Sequence, residues 1–140
     1  VEFYGLYEKY FSECTLNEGV LEKLQEAIEK GYQNIILSSC EHQALVSQCH
    51  RLGIDALFKS IMGVNDLVGG SKVDNGLRWL KDTNTDVNEC MYIGDTNADY
   101  ETASSLGIQD ITLVSLGHQS YERLKKLHDH TVQTFAEVII

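Results

Sequence analysis

Short apolar runs alternate along the chain with longer stretches in which apolar residues recur every three or four positions, which predicts strands and helices in turn. Phe3, Leu6, Tyr7, Tyr10 and Phe11 fall at helical spacing and predict a short aromatic-faced helix over residues 1–13, a linker helix or the end of a longer helical element. The remainder, 14–140, reads as one core domain. It opens with Thr15-Leu16-Asn17-Glu18 in the form of a capping box. Val20, Leu21, Leu24, Ala27 and Ile28 follow as one stripe, and Gly31 is the stop. Asn34 to Leu37 is a continuous apolar run suited to a strand covered on both faces, and it ends in Ser38-Ser39-Cys40.

Leu45, Cys49 and Leu52 mark the next helix, closed by Gly53, and Ser60 to Gly63 predict a short strand. After a polar, glycine-bearing loop over 65–71, Lys72 stands at the start of a helix whose inner face is Val73, Leu77 and Leu80. Cys90 to Ile93 form a strand that breaks at Gly94 and delivers Asp95 and Asp99, four residues apart. Tyr100 to Leu106 predict a helix, Asp110 to Val114 a strand, Tyr121 to Leu127 a helix, Thr131-Val132 an edge strand and Phe135 to Ile140 a last helix. Helix and strand in alternation call for a parallel sheet with helices on both faces, a three-layer Rossmann-like α/β fold.

Composition narrows the function classes. With 140 residues, 43% of them hydrophobic, the chain can bury a real core. A formal charge of -10 argues against a nucleic-acid partner, since Arg123-Leu124-Lys125-Lys126 is the one basic cluster. No apolar run approaches the roughly 20 residues of a membrane span. Cys14, Cys40, Cys49 and Cys90 show no paired spacing and the chain shows no signal peptide, so a reducing, cytoplasmic setting is expected. Cys40, His42, Cys49 and His50 match no common zinc spacing, and adjacent Cys49 and His50 point about 100 degrees apart on a helix. His118 follows a strand end, where it is either a substrate contact or a surface loop residue.

In an open parallel sheet the carboxyl ends of the strands share one crevice, so Ser38, Lys72, Asp95 and Asp99 can meet there. A hydroxyl, an ammonium and two carboxylates compose a site for phosphate and a divalent cation.

The set Ile35-Ile36-Leu37-Ser38, then Ser71-Lys72, then Gly94-Asp95-Thr96-Asn97-Ala98-Asp99 resembles three of the four motifs of the haloacid dehalogenase superfamily, in particular its phosphoglycolate-phosphatase-like hydrolases. The resemblance implies that Ser38 and the backbone beside Ser39 bind a phosphoryl group. It implies too that Lys72 steadies that group and the nucleophile, and that Asp95 ligates Mg2+ with Asp99 assisting. The implied activity is Mg2+-dependent hydrolysis of a small phosphorylated metabolite through an aspartyl-phosphate. A receiver domain uses similar residues, but there the acidic residues come first and the lysine last.

The family's first motif, an Asp-x-Asp on its own strand, has no counterpart before Ser38. The expectations are therefore a sheet whose central nucleophile strand is missing, the gap being closed by a further N-terminal segment, a second chain or direct pairing of the strands around Ile36 and Tyr92. The 140 residues would then be the C-terminal portion of a longer enzyme, inactive alone, with residues 1–13 the end of the family's helical cap or a linker helix. The alternative is a non-catalytic scaffold or binding module.

Overall fold

The computed structural model describes residues 3–7, 19–64, 72–94, 97–115, 121–133 and 137–139. The described elements run β1 (Phe3–Tyr7), α1 (Val20–Glu29), β2 (Tyr32–Glu41), α2 (His42–Arg51), β3 (Ser60–Val64), α3 (Lys72–Thr83), β4 (Cys90–Gly94), α4 (Asn97–Leu106), β5 (Asp110–Val114), α5 (Tyr121–Leu127) and β6 (Thr131–Val132). The six strands form one sheet in the order β3-β2-β1-β4-β5-β6, and every pairing is parallel.

Strands buried on both faces read as unbroken apolar runs, and β4 is buried along its whole length. On one face Leu6, Leu37, Tyr92 and Leu113 pack with Trp79 and Leu80 of α3, Ala103 and Leu106 of α4 and Leu124 of α5. On the other, Met91, Ile93 and Val114 meet Val20 and Leu24 of α1, and Ile36 meets Leu45 and Cys49 of α2. The three-layer α/β architecture expected from the alternation is the architecture found.

The centre of the sheet corrects that expectation. Phe3–Tyr7 is not a helix but the central strand, lying between β2 and β4 with Leu6 opposite both Ile35 and Tyr92. No gap exists there, and β2 and β4 do not pair directly. Phe-Tyr-Gly-Leu-Tyr is short enough to satisfy helical and extended patterns alike, and aromatic residues suit a pleated surface. What decides is tertiary: two strand edges whose amides and carbonyls need partners recruit the segment. Gly5 makes room for Tyr7, because a Cβ on Gly5 would stand 3.0 Å from the Tyr7 ring.

Two other boundaries differ. The first long helix begins at Val20 behind Gly19, whose φ of 84° turns the chain in and which offers no side-chain cap. The expected capping box, 15–18, lies outside the described residues. In the expected last helix only 137–139 are described; they contain no α-helix, and Val138 is buried against the α1 side of the core. No described helix is long and apolar enough to cross a membrane.

Candidate phosphate-binding crevice

The carboxyl end of β2 and the first turns of α3 and α4 place Ser38, Lys72 and Asp99 at one end of the sheet. Lys72 opens α3 and is 8% exposed; Asp99 lies in the first turn of α4 and is 2% exposed. Their side chains meet, Lys72 Nζ donating to Asp99 Oδ1 at 2.5 Å. A cation at a helix N-terminus faces an unfavourable dipole and a buried charge needs a partner, so the carboxylate answers both problems. Asp99 itself occupies a helix end that favours an anion. Lys72 Nζ also stands 5.8 Å from the centroid of the Tyr92 ring, within reach of its negative face.

Gly94 is the seat of this pair. A Cβ there would come within 2.2 Å of Asp99 Cβ, so β4 must end in glycine for α4 to lay its carboxylate across the strand end. The motif's glycine is thus read as a close approach of backbone and side chain.

Ser38 is buried at the point where β2 leaves its ladder with β3: Leu37 pairs with Met62, but the next pairing is Glu41 with Val64. The bowed segment is tied by its own hydroxyl, Cys40 N donating to Ser38 Oγ at 3.1 Å. That bond uses an acceptor lone pair and leaves the hydroxyl proton as a donor. Of the residues singled out in the sequence, the structure brings Lys72 and Asp99 into contact and places Ser38 near the end of β2, with β1 between that strand and β4. Asp95 and His118 lie outside the described residues, as does the side chain of Ser39.

The other sequence candidates are separately engaged. His42 Nδ1 accepts from the Gly63 amide at 3.2 Å, and His50 pairs with Asp55 at 3.1 Å on the surface, which holds the Asp55 carboxyl below its ordinary range. Cys49 is buried in the core. Three contributors were not read from the sequence: Tyr92 beneath the ammonium, Gly63 opposite the bowed segment, and Asn75, whose Nδ2 donates to Gly63 O at 2.9 Å. Asn75 had a legible signal, standing three residues beyond Lys72 on the same helix face.

The resemblance implies a magnesium ion, and the described donors do not complete a sphere for one. Magnesium takes about six oxygens in near-octahedral array. Among the described residues no group of three His, Cys, Asp or Glu could hold a metal ion, and Asp99 is engaged by Lys72.

The family model "Haloacid dehalogenase-like hydrolase" matches residues 1–113. Among solved structures, the chain is similar to a predicted phosphatase from Clostridium acetobutylicum, at 20% identity and a TM-score of 0.80, covering 88% of this chain and 57% of that one. It is similar to a haloacid dehalogenase-like hydrolase from Streptococcus pneumoniae, at 21% identity and a TM-score of 0.76, covering 88% and 58%. The core domain of a provisionally assigned phosphoglycolate phosphatase from Streptococcus pneumoniae TIGR4 gives 19% identity and a TM-score of 0.59, covering 92% and 96%. The chain thus spans under three-fifths of the first two proteins and nearly all of the isolated core domain. Among curated proteins nothing matches the sequence significantly.

Proposed function

Because the chain belongs to the haloacid dehalogenase-like hydrolase family, matching its model over residues 1–113, we propose that its crevice receives the phosphoryl group of a small phosphorylated metabolite, as in a phosphomonoester hydrolase. One observation carries the reading: a lysine only 8% exposed is held at the carboxyl end of the sheet, in contact with the Asp99 carboxylate. Nothing in the packing of α3 requires a cation there, since an apolar side chain would fill the site at lower desolvation cost. A phosphate oxygen is an anionic partner suited to that ammonium, and the hydroxyl of Ser38 with the backbone at Ser39 supplies neutral donors from the end of β2.

Hydrolysis through an aspartyl-phosphate needs a nucleophilic carboxylate, and β1 carries none: its side chains are Phe3, Tyr4, Leu6 and Tyr7 around Gly5. No covalent step is therefore assigned to this chain, which binds phosphate but does not turn over esters by itself. The same observation favours the second reading, a non-catalytic member of the family that keeps the phosphate site for recognition. The donors at Asp95 and Asp99 support weak magnesium binding; a fully coordinated ion there would overturn that part of the proposal.

The test is a titration of the 140-residue chain with inorganic phosphate, followed by amide shifts at Ser38, Ser39 and Lys72, together with a p-nitrophenyl phosphate assay in magnesium. Saturable shifts that vanish in Lys72→Met, without turnover, are expected. Absence of binding in the unmodified chain overturns the phosphate site, and turnover above that of Lys72→Met overturns the claim of inactivity.

A further inference from the structure

We propose that His42 and Asn75 are positioning residues that set the spacing between the two halves of the crevice through the backbone of Gly63; the proposal rests on the phosphoryl-site reading above. From Leu37 to Glu41 the chain takes four steps along β2 while β3 takes two, from Met62 to Val64, so Ser38 to Cys40 bow out of the sheet opposite Gly63. Buried backbone groups need partners wherever a ladder is interrupted. At Gly63 both are taken by side chains: its N–H donates to His42 Nδ1 at 3.2 Å, and its carbonyl accepts from Asn75 Nδ2 at 2.9 Å.

One side chain directly follows the strand that carries Ser38, and the other comes from the helix that carries Lys72. His42 opens α2, four residues beyond Ser38, and Asn75 lies in the first turn of α3, three residues beyond Lys72. The contacts thus run without a break from the Ser38 bow through His42, Gly63 and Asn75 to the turn that presents Lys72. The junction is also sterically closed. A Cβ on Gly63 would stand 2.6 Å from Cys40 O and 2.6 Å from His42 Cα, so only glycine allows β3 this near the bow.

Chemistry fixes what each residue must be. His42 has to accept at Nδ1, so its ring proton is on Nε2, and an asparagine carbonyl is the side chain that can reproduce that acceptor. Asn75 has to donate to a carbonyl, which aspartate cannot do. Both residues act on the phosphoryl group only through Ser38 and Lys72, so their loss widens or skews the site without removing a ligand contact.

The experiment uses the full chain, with amide spectra and inorganic phosphate titrations of His42→Ala, His42→Asn, Asn75→Ala, Asn75→Asp and the double alanine variant, and circular dichroism to confirm that each is folded. His42→Ala is expected to shift the amides of Lys72 to Asn75, and Asn75→Ala those of Ser38 to Cys40, each across the junction from the change. Each alanine variant should weaken phosphate about tenfold, the scale of one lost hydrogen bond, and the double variant no further than either alone. His42→Asn should return within about twofold of the unmodified chain, and Asn75→Asp should not.

Shifts confined to the substituted side of the junction overturn the proposal, as does an unrestored His42→Asn. If the unmodified chain binds no phosphate, the phosphoryl reading fails, and the cross-junction shifts alone decide whether Gly63 couples the two elements.

Discussion

At the scale of single residues, the crevice is a balance between a charge that needs a partner and a strand end that must leave room for it. Lys72→Met leaves the Asp99 carboxylate buried beside an apolar side chain, a change that typically costs about 3–5 kcal/mol. Asp99→Leu removes the carboxylate that the ammonium meets and is destabilising for the same reason. The double variant removes both charges, so its urea midpoint is expected above that of either single variant; a midpoint at the sum of the two losses would show that the groups are not a pair. Gly94→Ala should cost about 1–3 kcal/mol in the same assay, because its methyl group falls on Asp99. Lys72 and Asp99 were legible in the sequence, since polar residues bounding apolar runs stand out. That they would satisfy each other was not, as they are 27 residues apart and their meeting depends on how α3 and α4 lie across the sheet.

At the scale of elements, what the chain revealed was whatever its own periodicity could express. The stripe on α1, the apolar runs of β4 and β5 and the helix opened by Lys72 all form where the pattern placed them. The strand at the centre did not show itself, because its evidence lies in β2 and β4 rather than within Phe3–Tyr7. Its two long-range pairings reward an extended form that five residues alone do not dictate. The same dependence gives a test. A chain lacking residues 1–7 exposes the facing edges of β2 and β4 and unseats Tyr4, Leu6 and Tyr7 from both cores. It should lose its cooperative melting transition or associate, as read by circular dichroism and light scattering. A truncated chain that melts cooperatively as a monomer would show that β1 is an accessory strand. The bow at Ser38 to Cys40 escaped the sequence for a related reason: an irregularity in a ladder is a property of two strands.

At the scale of the whole molecule, two buried acids that must stay protonated link stability to alkaline pH. Burial pushes the Tyr7 phenol well above its ordinary value, and the nearby Tyr32 and Glu26 act in the same direction. Burial, then Glu89 and Asp86, raises the Cys90 thiol from 9.0 to about 11. In the unfolded chain both groups ionise at their ordinary values, so above pH 9 the unfolded state binds fewer protons than the folded one and stability falls as pH rises. The Cys90 contribution is whole below pH 9 and is lost as pH rises through about 11. The Tyr7 contribution is whole below pH 10 and is lost only at still higher pH. Urea midpoints should therefore be set by other groups up to pH 9 and decline beyond it. Cys90→Ala should flatten the decline between pH 9 and 11, and Tyr7→Phe the part above pH 10. The same burial predicts slow alkylation of Cys90 by iodoacetamide near pH 8, because little thiolate forms and the core must open to expose it. Unchanged alkaline slopes in both variants, or alkylation of Cys90 at the rate of a free thiol, would show that neither group is held as the fold places it.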